Sequence, residues 1–175
     1  MPRPVDAAAV RRFLDAIARQ ATGPTTVYLV GGTTAVTEGW RSATIDVDLR
    51  LEPEDDGILR SLPGIKISQG VNVELASPLD FLPELPGWRD RSPFVATIGP
   101  LTVRHLDLYA QAMAKLERGF IQDCADVDAM VERGLVDPRR LGELLVSIEP
   151  DLYRFPAVDP ASLRVAVQEL IDRRN

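Results

Sequence analysis

The stretch "YLVGGTTAVTEGWRSATIDVDLRL", from Tyr28 to Leu51, carries the decisive pattern. An apolar run ends in Gly31-Gly32, and a strictly alternating run follows it. Alternation at period 2 is the signal of a half-buried strand, so "TVYLV" (26–30) and "ATIDVDLRL" (43–51) read as strands. Between them "TTAVTEGW" reads as a short helix stopped by Gly39. On the second strand Ile45, Val47 and Leu49 are expected on one face, and Asp46, Asp48 and Arg50 on the other.

Before this stretch, residues 6–20 place Val10, Phe13, Leu14 and Ile17 at helical spacing. After it, "PEDDGILRSLP" reads as a turn with a short helix, and "IKIS" and "VNVELA" as two short strands around Gly70. "PFVATIGPLTVRHL" reads as a hairpin turning at Gly99-Pro100. Beyond Asp107 the period changes to about 3.6. Helices are expected there, two of them stopped by Gly119 and Gly134 and two opened by Asp-Pro. The Pro-rich patch 78–93 is the least structured part. The expected fold class is α+β: a small mixed sheet flanked by helices over 1–106, with a helical region over 107–175 packed on that core.

Composition sets wide limits. The chain has 175 residues, 45% hydrophobic and 26% charged, which suits about one domain with a real core. It has one cysteine, Cys124, so neither an internal disulfide nor a cysteine-based zinc site is expected. Arg and Asp interrupt the N-terminal apolar positions, against a secretory signal, and no apolar run is long enough for a membrane span. A cytoplasmic protein without membrane contact is the expectation. The net charge of −6 disfavours coating nucleic acid by electrostatics alone. Arginines do group, at Arg11, Arg12 and Arg19 and again at Arg89, Arg91 and Arg104, each read singly as a solvated surface charge.

Asp46 and Asp48 stand roughly 6–7 Å apart along their strand. Carboxylates that close repel unless something positive lies between them, and a hard divalent cation such as Mg²⁺, or Mn²⁺, meets that need. An isolated D-x-D is more often a solvated acidic face, here with Arg50 neutralising Asp48. "VNVELA" shifts the balance, because it should put Val73 and Leu75 on one face and Asn72 and Glu74 on the other. Glu74 then becomes a third acid on a neighbouring strand. Gly31 and Gly32, followed by Thr33 and Thr34, would present backbone N–H groups and hydroxyls to an anion. A common Gly-Gly turn explains them equally well. A phosphate cradle beside a cation site suggests a nucleoside triphosphate (NTP).

The pattern GG-x13-D-x-D resembles the signature of the polymerase-β-type nucleotidyltransferases, with Gly31, Gly32, Asp46, Asp48 and Glu74 in matching positions. "LYAQAMAKLERGFIQDCADVDAMV" is similar to the AbiEii/MenT-like toxin branch, through Lys115, Leu116 and Arg118, then Asp123 and Asp126. Gln122 stands where that branch usually has arginine. The resemblance covers about residues 27–133. It implies Mg²⁺-dependent transfer of a nucleotide from an NTP, with pyrophosphate released, to the 3′ end of tRNA, by a toxin with a cognate antitoxin. It implies that Asp46 and Asp48 hold metal, with Glu74, and that Gly31, Gly32, Thr33, Thr34, Lys115 and Arg118 contact the nucleotide. Glu74 or Asp123 would align or deprotonate the attacking hydroxyl.

Alternatives stay open at this stage. Lys115 could be a surface lysine paired with Glu117 or Asp107. Asp123 could be a helix N-cap, with Asp126 stabilising the first turn. His105 reads as structural. The acceptor could instead be a small-molecule or protein hydroxyl, or the chain could bind NTP or a partner without catalysis.

Overall fold

The computed structural model describes residues 3–175. It is α+β, and its chain divides into two units, Met1–Ser77 with Pro93–His105, and Pro78–Ser92 with Leu106–Asn175.

The first unit begins with α1 (Ala7–Ala18), capped by the Asp6 carboxylate on Ala9 N–H. Strand β1 (Thr25–Leu29) leads into α2 (Gly31–Glu38), and β2 (Asp46–Glu52) returns antiparallel to β1. Helix α3 (Asp56–Gln69) crosses to β3 (Asn72–Leu75), which pairs parallel to β2. Strands β4 (Phe94–Ile98) and β5 (Leu101–His105) form the expected hairpin, and β5 lies parallel to β1. The five-stranded sheet therefore runs β3-β2-β1-β5-β4.

The alternation buries one face completely. Val27, Leu29, Val47, Leu49, Val73, Leu101 and Val103 meet Val10, Phe13, Leu14 and Ile17 of α1, and Ile58 and Leu62 of α3, in one apolar core. Removing such side chains from water, at roughly 1.5–3 kcal/mol each, is the main term holding the unit together. The opposite face carries Asp46, Asp48, Arg50 and Glu52 of β2, in register with Thr26 and Tyr28 of β1 and Asn72 and Glu74 of β3.

Three local expectations are corrected. "IKIS" is not a strand but the second half of the 14-residue helix α3, which carries Pro63 inside it. Parallel pairing of β2 with β3 needs a long crossover, and a helix supplies it whatever the β propensity of Ile65 and Ile67. Ile45 does not join the buried face; it is 72% exposed, because regular pairing starts at Asp46. Leu75, at the end of the edge strand β3, is 48% exposed.

The second unit holds the 78–92 segment, with a 3₁₀ turn at Pro78–Asp80 and the short helix α4 (Trp88–Arg91). Four longer helices follow: α5 (Leu108–Arg118), α6 (Ile121–Glu132), α7 (Pro138–Ile148) and α8 (Pro160–Asp172). Gly119, at φ +71°, ends α5 in the left-handed conformation. The Asp137 and Asp159 carboxylates cap α7 and α8, each with proline in the first turn. No helix of the described residues is long and apolar enough to cross a membrane.

Candidate functional site

The carboxylate centre is built by strand register. Asp48 of β2 stands opposite Glu74 of β3, and Asp46 opposite Asn72. Each of Asp46, Asp48 and Glu74 offers an oxygen within 4.8 Å of the other two. The Asp46 and Asp48 side chains are half-buried and Glu74 is exposed. Asn72 Nδ2 donates to Asp46 Oδ1 at 2.8 Å, which fixes that carboxylate and leaves its other oxygen for a ligand. Three hard oxygen donors so grouped repel each other alone and suit a divalent cation. The residues present fit a Mg²⁺ or Mn²⁺ ion.

The Gly-Gly turn lies against this centre. Helix α2 starts at Gly31 itself, two residues before Thr33. Gly31 has φ +57°, and a Cβ there would stand 3.0 Å from Asp48 Oδ2. A Cβ at Gly32 would collide with the Thr44 side chain and stand 3.4 Å from an Arg41 guanidinium nitrogen. Glycine is required at both positions, at the first by conformation and contact, at the second by contact alone.

Thr33 and Thr34 take a different place from the expected one. Both are fully buried. Thr33 Oγ1 accepts the Asp48 backbone N–H at 2.8 Å, and Thr34 Oγ1 donates to the Leu29 carbonyl at 3.0 Å. Their hydroxyls work inside the fold, so neither is directed at an anion. The physical reason is packing, since α2 must sit against β2 and two hydroxyls need buried partners.

His105 ends β5 on the buried side, with Nε2 2.9 Å from Glu38 Oε1 and Nδ1 3.2 Å from Thr34 Oγ1. Burial pushes its pKa down, against the opposing charge and hydrogen bond of Glu38. Both ring nitrogens thus face partners inside the fold.

In the second unit Lys115 is 5% exposed. Its Nζ lies 2.7 Å from Asp126 Oδ2 and 3.6 Å from Asp123 Oδ1. Neither Glu117 nor Asp107 is its partner: Asp107 caps α5 through Tyr109 N–H and pairs with Arg91. Asp123 is not an N-cap, because Phe120 holds that position. Arg118 grips Asp123 with two hydrogen bonds, at 3.0 and 2.5 Å. Burial alone would raise the Asp123 carboxyl, but Arg118, Lys115 and the Phe120 N–H together hold it below the usual carboxylate range. Gln122 Nε2 donates weakly to Asp126 Oδ1 at 3.4 Å.

No protein-family model, curated protein or solved structure matches this chain. Sequence reasoning missed Arg41 and Thr44, which flank Gly32, and the Lys115–Asp126 pair. Nothing in periodicity marks a loop residue that packs back on a turn. The spacing of eleven between Lys115 and Asp126 spans two helices, so no helical rule relates them.

Proposed function

We propose that the chain is a Mg²⁺-dependent nucleotidyltransferase, moving a nucleoside monophosphate from an NTP to an acceptor hydroxyl with release of pyrophosphate. The observation that carries this reading is the group of Asp46, Asp48 and Glu74 oxygens within 4.8 Å of one another beside the Gly31-Gly32 turn. These three side chains would hold the ion, which would offset triphosphate charge and make the attacking hydroxyl easier to deprotonate.

The chain's own groups do the rest. Gly31 and Gly32 let phosphate oxygens approach the start of α2 closely. Lys115 and Arg118, in the second unit, are paired with Asp126 and Asp123, so the reading rests on the first unit's carboxylates and Gly-Gly turn. Glu74 is the better choice for third acid. Asp123 is gripped by Arg118 and held below the usual range, which makes it a weak base. The acceptor on this reading is the 3′ end of tRNA, and the protein acts as a toxin neutralised by an antitoxin. The pI near 4.9 favours a second acceptor class, a small-molecule hydroxyl.

The test incubates purified protein, Mg²⁺ and each α-labelled NTP with total tRNA, and separately with small-molecule and protein fractions. Asp46→Asn and Asp48→Asn are the controls. Label on tRNA that both variants lose supports the reading. Label on another fraction moves the acceptor, and label that survives both substitutions overturns the metal assignment. Induced expression should arrest growth in the wild type and not in Asp46→Asn.

A further inference from the structure

We infer that the N-terminal segment 3–5 is a strap that positions the carboxylate centre, by tying together the entries of the two strands that carry it. Its backbone bonds reach the starts of β2 and β3, and through Thr44 it borders the Gly-Gly turn. This deepens the nucleotidyltransferase reading, on which it rests for the role of the three acids, by naming what sets their spacing.

Backbone hydrogen bonds make the strap. Val5 N–H donates to the Thr44 carbonyl at 2.8 Å, Thr44 N–H donates to the Val5 carbonyl at 2.9 Å, and Arg3 N–H donates to the Gly70 carbonyl at 3.1 Å. Thr44 stands two residues before Asp46, and Gly70 two before Asn72, which are the first pair of the β2–β3 ladder. The strap therefore joins the two strands at the end where their own pairing begins. That end carries Asn72, whose amide fixes the Asp46 carboxylate. Thr44 also lies against Gly32, where an added Cβ would meet its hydroxyl. Holding Thr44 from both sides thus holds a wall of the turn.

The strap is anchored firmly at one end and lightly at the other. Val5 is fully buried in the core, and the next residue, Asp6, caps α1 through Ala9 N–H. Arg3 and Pro4 are exposed, and Pro4 confines Arg3 to extended backbone, which lowers the entropy lost in holding its N–H on Gly70. Strand β3 needs such a hold. It has four residues, pairs with β2 alone, and ends in exposed Glu74 and Leu75. Asp46 and Asp48 stand on a strand with neighbours on both sides, so the register of β3 on β2 decides where Glu74 sits relative to them. A slip of one residue would turn Glu74 to the opposite face of the sheet.

The experiment removes one bond of the strap and reads β3 and the cation site separately. Arg3→Pro deletes the N–H that Gly70 accepts, and Arg3→Ala keeps it. A chain lacking residues 1–3 loses the same N–H without gaining a ring. Hydrogen exchange at the amides of Asn72–Leu75 should be about fivefold faster in Arg3→Pro and in the shortened chain, the weight of one net backbone hydrogen bond, and unchanged in Arg3→Ala. Exchange in β1 and β5 should not move. Mn²⁺ affinity, read by electron paramagnetic resonance of the free ion, should fall about two- to fivefold in the same two proteins, because Glu74 joins the other acids only while β3 is paired. Unchanged exchange at β3 overturns the proposal. Faster exchange with unchanged Mn²⁺ affinity also overturns it, since the strap would then stabilise β3 without positioning the centre. So does an equal effect in Arg3→Ala, because the side chain rather than the backbone bond would be responsible. A wild-type chain that binds no Mn²⁺ counts against the transferase reading alone, and exchange at β3 then decides the strap by itself.

Discussion

Thr33 Oγ1 accepts the backbone N–H of Asp48 at 2.8 Å, and the Asp48 carbonyl in turn accepts the Val30 N–H at 3.1 Å. The Gly-Gly turn and the acidic strand are thus pinned on both sides of a single residue. Thr33→Val keeps the side-chain shape and leaves the Asp48 N–H without that acceptor. It should cost about 1–3 kcal/mol in urea unfolding, and Thr33→Ser should restore most of it. If Thr33→Val were as stable as wild type, the pin would have no energetic weight.

Gly31 is constrained twice, by φ +57° and by Asp48 Oδ2 at 3.0 Å from where a Cβ would be. Gly31→Ala should destabilise the fold by about 1–2 kcal/mol from conformation alone. It should also weaken cation binding by displacing the carboxylate. Gly64→Ala is the matched control, inside α3 with nothing within 4 Å of its Cβ, and should be neutral or stabilising.

How much of this was visible in advance depended on range. The alternation at Val47 and Leu49, the hairpin at Gly99-Pro100 and the stop at Gly119 are local patterns, and each appears in the structure where expected. Asp46, Asp48 and Glu74 were legible as a group because register follows from alternation on two strands. The second half of helix α3 was not legible, since Pro63 and Gly64 look like punctuation and Ile65 and Ile67 look like a strand. Only the parallel pairing of β2 and β3 demands a helix there, and that pairing is a long-range fact. The buried work of Thr33 and the ion pair of Lys115 with Asp126 were hidden for the same reason.

The Lys115–Asp126 pair is nearly fully buried in the second unit, with Asp123 as a more distant partner. Removing one member of a buried pair leaves an uncompensated charge. Asp126→Ala should cost about 3 kcal/mol, while Lys115→Met combined with Asp126→Leu should recover much of that loss. Thermal unfolding of the three proteins decides it; equal losses in the single and double variants would contradict the pairing.

Stability should also fall at mildly acidic pH, for one traceable reason. Burial lowers the His105 pKa, and Glu38 only partly offsets it. The unfolded ring takes up its proton near pH 6.5, whereas the folded ring does so lower, so the unfolded state binds more protons in the window below about 6.5. The stability contribution is present above that window and is lost as pH falls through it. His105 is the chain's single histidine, so His105→Gln should flatten the change in melting temperature between about pH 7.5 and 5.5. An unchanged slope in the variant would place the effect elsewhere.

Glu74 stands on β3, a four-residue strand at the margin of the sheet that pairs with β2 alone. Two carboxylates of the centre therefore stand on an interior strand, and the third on one free to fray. A cation bound there acts as a rivet between margin and interior. Its arrival would be recorded most plainly in slower hydrogen exchange at the amides of Asn72–Leu75, while β1 and β5 stayed as they were.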